Sequence, residues 1–395
     1  MQKTVILKKG KEESLLRFHP WIFSGAIARI EGNPDEGDVV DVYTSAGEWI
    51  ATGHVQIGSI AVRVLSFKPV VVDNGFWLDR IGRAFDVRRT LGLVDCVDHN
   101  IYRLVHGEGD GLPGLVVDVY GRTAVIQAHS VGMHRSRQNI ADALLKVMDG
   151  RVDSVYYKSE TTLPFKAELD RSCGYMVGGP LPDDVPLEYG LKMPVDWING
   201  QKTGLFIDQR ENRALLERMS HGRKVLNMFC YTGGFSLAAL RGGAELVHSV
   251  DSSAKAIELT KQGVENNFPG DCRHEAFAED AFRYLDTMDN SKYDLIVLDP
   301  PAFAKHKDAL KHALLGYRRL NEKAFQKIAH GGLLFTFSCS QVVNKEQFRT
   351  AVFTAAAMSG RNVRILYQLH QPADHPVNIF HPEGEYLKGL VLYVE

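Results

Sequence analysis

Cys339 stands between two serines at the end of the apolar run Leu333–Phe337. Asp299 ends another such run, Tyr293–Leu298, with Pro300 and Pro301 behind it. A thiol and a carboxylate at strand ends suit covalent chemistry on a ring that is itself a poor nucleophile. Cytosine C5 is such a centre, because its electrons are delocalised. A thiolate adding at C6 breaks the aromaticity and leaves an enamine that can attack an electrophilic methyl group. A base then removes the C5 proton and the thiolate leaves, so one hard step becomes several easier ones. A free thiol of pKa about 8.5 needs local depression to be mostly thiolate at neutral pH. The Asp-Pro-Pro turn is stiff and holds its carboxylate toward the edge of a planar base. Plainer readings stand beside these: Cys339 as a buried structural thiol, the usual state of a free cysteine, and Asp299 as a helix cap.

A second group of residues suits a nucleoside cofactor. Val225, Leu226, Met228 and Phe229 fit a buried strand, and Thr232-Gly233-Gly234 breaks it into a turn. Phe235, Leu237, Ala238 and Leu240 then follow with helical spacing. Strand, glycine turn and helix form a crevice beyond the strand's carboxyl end, where parallel α/β sheets bind ligands. The glycines are expected to let the backbone pass close under that ligand. Asp251 ends the next strand, Leu246–Val250, and is placed to accept both hydroxyls of a ribose. Glu279 and Asp280 follow the third strand, where an acid can meet an adenine amino group. Nicotinamide dinucleotide and S-adenosyl-L-methionine both fit this pattern. The lack of a GxGxxG motif weighs against the first, and Asp299-Pro300-Pro301 favours the second. Cys230 lies inside the glycine turn and is expected to face the cofactor, which makes it the second choice of nucleophile. Cys96, Cys173 and Cys272 carry no such setting.

The elements that must position these residues read as a doubly wound sheet. Strands are expected at 225–230, 246–251, 272–277, 293–298, 332–338, 364–369 and 387–394, the last antiparallel. Ahead of them, Leu187–Val195 and Leu205–Asp208 are expected to form a hairpin, followed by a helix at Glu211–Met219. The first part, to about Lys68, reads as all-β, with strands at Val39–Tyr43, Trp49–Val55 and Ile60–Ser66. Its lead-in carries Lys8, Lys9, Lys11 and Arg17, which suits RNA. His19, Pro20 and Trp21 either join that contact or pack a small barrel. Between these parts, Phe76–Leu91 is expected to be an amphipathic helix with Arg88 and Arg89 on its solvated face. A meander, a helix at His134–Met148 and a strand at Ser154–Lys158 complete an α+β region. GEGDGLPG opens no helix and is not a phosphate loop. The division expected is 1–70, 71–185 and 186–395.

A chain of 395 residues suggests two or three domains. A net charge of -2 demands no nucleic acid, so any RNA contact must be a local basic patch. The first residues lack a signal-peptide core, and no apolar run is long enough for a membrane span. Five scattered cysteines without a CxxC argue against disulfides and a zinc site and for a reducing cytoplasm.

Taken together, LLRFHPWIFSGAI, GQKTGLFIDQRENR, NMFCYTGGF, LDPPAF, FTFSCS, ADHP and PEGEYLKG resemble the bacterial large-subunit (23S) ribosomal RNA cytosine-5 methyltransferases. These join a PUA domain to a class I methyltransferase, and the likeness runs nearly end to end. It implies a β-barrel PUA domain, a small α+β middle domain and an α/β Rossmann-like domain with a seven-stranded mixed sheet. It implies S-adenosyl-L-methionine as cofactor and ribosomal RNA as partner, with no membrane and no metal; a homodimer is left open. It puts Asp251 on the ribose, Asp280 near adenine, Asp299 on the target cytosine and Cys339 in the role of nucleophile. Phe229, Tyr231, Thr232, Gly233, Gly234, Gln201, Asp208 and Arg210 are expected to line the cofactor pocket. Two alternatives remain: methylation of another base such as guanine without a covalent step, and a non-catalytic RNA-binding assembly factor. Asp374, His375 and Glu383 are candidates for the base that takes the C5 proton, or for braces of the last strand.

Overall fold

The computed structural model describes residues 3–164, 169–304 and 306–395, with every side chain among them except that of Lys307. The chain forms two compact units. One gathers Met1–Leu187, Asp196–Gly204 and Ala373–Gly384; the other gathers Glu188–Val195, Leu205–Pro372 and Glu385–Glu395.

The first unit begins with β1 (Thr4–Leu7), a one-turn helix α1 (Glu13–Leu16), β2 (Trp21–Phe23), β3 (Ile27–Glu31), β4 (Val39–Tyr43), β5 (Trp49–Val55) and β6 (Ile60–Ser66). They make one six-stranded sheet in the order β2-β6-β5-β4-β1-β3. Alternate residues of its strands, among them Val5, Leu7, Val40, Val42, Val62 and Val64, close on a single apolar core with Leu15 and Ile22. The basic residues expected as a lead-in follow β1, which is an inner strand paired with both β4 and β3. Lys8, Lys9 and Lys11 therefore sit in a turn within the sheet rather than ahead of it.

The same unit continues with α2 (Asn74–Thr90), β7 (Ile101–His106), β8 (Leu115–Tyr120), β9 (Thr123–Ala128), α3 (Val131–Arg135), α4 (Arg137–Met148), β10 (Ser154–Tyr157) and β11 (Gly174–Val177). Strands β7, β8 and β9 are the expected meander, and β10 returns parallel to β9 after α3 and α4. The single helix expected over His134–Met148 is two, broken at Ser136. Asp73 caps α2, its carboxylate accepting from Phe76 N at 3.1 Å. The expected polar face of α2 is corrected at one residue. Arg88 is fully buried, and its guanidinium donates to both carboxylate oxygens of Asp110, at 2.5 and 2.8 Å, and to the carbonyls of Arg103 and Asp374. Its neighbour Val87 takes the exposed side. A buried guanidinium with this many acceptors is a structural cross-link, and removing one partner of such a pair costs roughly 3–5 kcal/mol.

The expected hairpin before the last sheet is also displaced. It consists of β12 (Leu187–Glu188) and β13 (Leu191–Lys192), turning through Tyr189 and Gly190 at φ of 49° and 83°. Two successive positive φ values make the tight turn whose twist matches paired strands. The segment Leu205–Asp208 contains no strand, and Ile207–Gln209 is a 3₁₀ turn entering α5 (Arg210–Arg218).

The second unit carries β14 (Lys224–Met228), α6 (Gly234–Arg241), β15 (Leu246–Asp251), α7 (Ala254–Asn267), β16 (His274–Ala278), α8 (Ala281–Thr287), β17 (Leu295–Leu298), α9 (Leu310–Lys327), β18 (Gly332–Ser338), α10 (Lys345–Ser359), β19 (Val363–Leu369) and β20 (Lys388–Val394). The seven-stranded sheet runs β16-β15-β14-β17-β18-β20-β19. Strands β14 to β18 are parallel, and β20 enters antiparallel between β18 and β19. The seven strands fall where the apolar runs put them, with ends shifted by up to two residues. Because the order reverses beside β14, the carboxyl ends of β14, β15, β17 and β18 open on one crevice at the switch point. Among the described residues no helix is long and apolar enough to cross a membrane.

Candidate active site

Neighbouring parallel strands β17 and β18 pair Leu298 with Thr336, so the residues that follow each strand emerge side by side. Asp299 leaves β17 and Cys339 leaves β18. The two loops are tied together. Cys339 Sγ lies 4.0 Å from the carbonyl oxygen of Pro300, and Ser340 Oγ donates to Ala304 O at 2.6 Å. Ser338 Oγ donates to the Tyr317 hydroxyl at 2.9 Å, and Phe303 packs on the Tyr317 ring at 4.7 Å. No helix begins at Asp299, which rules out the capping reading: the first turn after it is at Lys307–Ala309.

The electrostatics of this pair differ from the expected depressed thiol. Burial, then the charges of Asp299 and Asp208, push the Cys339 thiol up to about 12. The resting group is a thiol. Burial likewise raises Asp299, and the neighbouring Asp208 adds to it, so the carboxyl titrates at about 7. A carboxyl poised there is half protonated at neutral pH, whereas an ordinary one is ionised. Gln209 Nε2 donates to Asp299 Oδ2 at 3.0 Å, and Asn212 orients that amide by donating to its oxygen at 2.6 Å. Asp208 itself accepts from the Tyr386 hydroxyl at 2.7 Å.

Two residues here escaped the sequence reading. Gln209 lies between Asp208 and Arg210, both of which had been singled out. The 3₁₀ geometry turns its side chain inward to Asp299, while Arg210, buried, donates to Glu211. Lys388 is the other. It pairs with Ser338 across β20 and β18, is 5% exposed, and donates to the carbonyls of Ser340 at 2.6 Å and Val343 at 2.8 Å. It thus clamps the loop that carries Cys339. Burial brings its ammonium down to about 8, against an opposing pull from Cys339. Its only signal was a lysine opening an otherwise apolar strand.

On the other side of the sheet's switch point, the loop after β14 is strained. Phe229, Tyr231 and Gly233 all have left-handed φ, at 58°, 48° and 81°. Two of these are aromatic residues, which rarely adopt that region. Tyr231 N donates to Asp251 Oδ2 at 3.0 Å, and Ser253 N to Asp251 Oδ1 at 2.9 Å. The Phe206 ring packs edge-on against Tyr231. The Thr232 hydroxyl is buried without a hydrogen-bond partner. The glycines also have a packing reason. A Cβ on Gly233 would come within 2.6 Å of Thr260 Cγ2, and one on Gly234 within 2.9 Å of Arg213 Cδ. They make room for α7 and α5. Arg213 is in turn fixed by a buried bidentate pair with Glu188, at 2.6 and 2.5 Å.

The remaining singled-out residues fall as follows. Asp280 is exposed and caps α8, accepting from Arg283 N at 3.0 Å. Cys230 is 6% exposed, with Sγ 3.7 Å from Tyr231 O and 3.8 Å from Thr260 Oγ1. Gln201 is an exposed turn residue of the first unit. Asp374, His375 and Glu383 also belong to that unit. The Asp374 carboxylate accepts from Arg103 N and lies against His375, and Glu383 meets His19 and His381. They hold their segment to β7 and to the start of β2, so the bracing expected of them is real but not directed at the last strand. His19 and Trp21 likewise do not fill the barrel core; Trp21 Nε1 donates to Glu108 at 2.8 Å.

The crevice fits an adenosyl group. Each oxygen of Asp251 accepts one backbone N–H and keeps a further lone pair, which is what two ribose hydroxyls require. One oxygen of Asp280 is used in capping and the carboxylate stays exposed. These features define a class I methyltransferase fold with a cofactor crevice beside a cysteine and an aspartate.

Comparison with known proteins agrees. Residues 148–377 match the S-adenosylmethionine-dependent methyltransferase family, and residues 5–67 match the PUA-like domain family. Ribosomal RNA large subunit methyltransferase I of Aeromonas hydrophila is 41% identical over 398 residues, 99% of each chain. The protein of that name from Escherichia coli K12 is 39% identical over 399 residues, 100% of each. Among solved structures, a candidate SAM-dependent methyltransferase from Streptococcus mutans superposes with a TM-score of 0.83 at 23% identity over all of both chains. A methyltransferase fold solved with SAH gives 0.85 at the same identity and coverage. At that identity the two structures speak for the fold. The chain is an S-adenosylmethionine-dependent methyltransferase with a PUA-like N-terminal part, and it belongs to the ribosomal RNA large subunit methyltransferase I family.

Proposed function

We propose that this chain methylates C5 of a cytosine in large-subunit ribosomal RNA, with Cys339 bonding transiently to C6. Ribosomal RNA is what the named relatives act on, and the PUA-like part, residues 1–70 in the proposed division, is the RNA-binding part. The observation that carries the covalent reading is the tie between the loops of β17 and β18, which joins the Cys339 thiol to the Asp299 turn.

In this reading the target cytosine is flipped out of its stack, since a paired base hides both faces of the ring. Asp299 works in its protonated form. It donates to N3 and draws electron density from C6. The same proton removes the neighbouring negative charge that raises the Cys339 thiol, so arming the acid also favours the thiolate. Gln209 holds the carboxyl at its angle. Lys388 fixes the Ser340–Val343 turn and places a positive charge beside the forming thiolate. When bound, S-adenosylmethionine would supply an electrophilic methyl group to C5; the C5 proton then leaves to water as the C6–S bond breaks and Cys339 is returned. Asp251, Phe229, Tyr231, Thr232, Gly233 and Gly234 would hold it from the β14 and β15 side, with Asp280, Asp208 and Arg210 as further contacts.

A non-covalent reaction on a guanine nitrogen is the second reading. The raised resting thiol is the observation on its side, because that chemistry has no need of a thiolate. RNA carrying 5-fluorocytosine separates the two. A fluorine at C5 cannot leave as a proton does, so the covalent route ends in protein joined to RNA. Wild-type protein is expected to form this adduct and Cys339→Ala to form none. Methylation of guanine by a wild type that forms no adduct would establish the second reading.

A further inference from the structure

His19, His381 and Glu383 form, among the described residues, the one group of three His, Cys, Asp or Glu side chains whose potential ligand atoms all lie within 4.8 Å of one another. All three belong to the first unit. His19 Nε2 is 3.5 Å from Glu383 Oε1, and His381 Nε2 is 3.7 Å from Glu383 Oε2. Bonds of about 2.1 Å at tetrahedral angles put two ligand atoms roughly 3.4 Å apart. The observed spacings are within a few tenths of an ångström of that.

A second observation points to a ligand. His381 is 4% exposed, and neither of its ring nitrogens has a hydrogen-bond partner. A buried imidazole with both nitrogens unsatisfied is costly and calls for a partner. The ring is held in place by packing: Trp21 lies edge-on at 4.3 Å and the His19 ring is at 5.4 Å. Trp21 is itself anchored through its indole N–H on Glu108. His19 Nδ1 is within reach of both the N–H and the carbonyl of Trp21. The tautomer that donates to the carbonyl leaves the Nε2 lone pair facing Glu383, the arrangement that orients a metal-bound histidine.

We propose that His19, His381 and Glu383 bind a divalent cation of the zinc class, with water completing the tetrahedron. Two imidazoles and a carboxylate are a zinc-type donor set, whereas magnesium and calcium take oxygen ligands. The bound cation fastens the strand-leading segment at His19 to the closing segment Ala373–Gly384. The site revises the expectation of no zinc, which rested on cysteine spacing alone.

The test uses the full chain after treatment with a chelator, titrated calorimetrically with Zn²⁺ alone and optically with Co²⁺ alone. One equivalent of Zn²⁺ is expected to bind at micromolar affinity or better and to raise the melting temperature by a few degrees. Co²⁺ is expected to give the strong visible bands of a tetrahedral site. It should give no near-ultraviolet thiolate charge-transfer band, which excludes the cysteines as the ligands. Glu383→Gln, at a half-exposed position, and His381→Ala should each weaken Zn²⁺ at least tenfold while the circular dichroism stays native. Failure of the wild type to take up Zn²⁺, or equal affinity in Glu383→Gln and His381→Ala, overturns the site. A melting temperature that follows pH but ignores metal overturns it too, leaving a histidine–carboxylate ion pair.

Discussion

Cys230 and Cys339 both end strands of the same sheet, and burial pushes both thiols up to about 12. The shared value hides a difference in kind. Cys230 is 6% exposed, fitted between the Tyr231 carbonyl and Thr260, and the contributions to its shift come from packing and from Asp251, whose carboxylate is tied to backbone N–H groups. Cys339 is only half buried, and after burial its shift comes from Asp299 and Asp208, with Lys388 pulling the other way. Asp299 changes charge near neutral pH. Burial is the first cause for both thiols, but part of the Cys339 shift comes from a charge that can be switched off. The level of a pKa therefore says less about reactivity than the source of the shift.

Removing the Cys339 sulfur should break this comparison outright. Cys339→Ala is expected to lose at least four orders of magnitude in methylation rate while binding S-adenosylmethionine as before. Each factor of ten is about 1.36 kcal/mol of lost transition-state stabilisation. Calorimetry and a single-turnover methyl-transfer assay measure the two quantities. Robust turnover by this variant would end the covalent reading.

Asp299→Asn removes the switchable charge while keeping the shape. Methylation should fall by roughly 10²–10⁴-fold, the usual contribution of a positioned acid. Alkylation of Cys339 by iodoacetamide should instead speed up several-fold at pH 8, because the charge that raises the thiol is gone. The sign for the wild type follows from the carboxyl at about 7. Its protonated form dominates below that pH and is lost above it, so the Asp299-dependent part of the rate falls as pH rises through 7. A rate profile without an inflection near 7, or slower alkylation in Asp299→Asn, would show that the two groups are not coupled.

What the sequence revealed and what it hid divide along the same line. Strand-end residues such as Asp251, Asp299 and Cys339 were legible because apolar runs mark parallel strands, and the first polar residue after each run faces the crevice. Residues that act through distant partners were not. Arg88 sits between ordinary helix residues, and nothing local announces that Asp110 waits to bury it. Gly233 was read as clearing a ligand, and nothing local showed that it also clears Thr260, a neighbour supplied by a later helix. Gln209 was passed over because the turn carrying it is 3₁₀, which changes which of three adjacent polar residues points inward. Lys388 needed the antiparallel register of β20 against β18 before its position beside Cys339 meant anything.

Lys388→Met sharpens the contrast by removing the opposing charge and keeping the apolar stem. Two buried carbonyls lose their donor, which costs roughly 2 kcal/mol of stability. A merely structural lysine would do no more than lower the melting temperature. The positioning role proposed here also moves the pH midpoint of Cys339 alkylation upward and lowers methylation about tenfold, with Lys388→Arg restoring part of both. An unchanged alkylation profile in a folded Lys388→Met would confine the residue to packing.

The smallest effect is expected at Cys230. Its sulfur touches Tyr231 and Thr260 inside the protein, so Cys230→Ala removes a small buried group beside the strained β14 loop. The stability cost should be about 1 kcal/mol. Methylation should stay within roughly threefold of wild type, less than about 0.7 kcal/mol in the barrier. A slight loss of S-adenosylmethionine affinity is consistent with this, because Tyr231 and Gly233 hold their left-handed backbone partly through that packing. The 5-fluorocytosine adduct must persist in Cys230→Ala. Its disappearance there, with survival in Cys339→Ala, would exchange the roles of the two thiols and make the packed one the nucleophile.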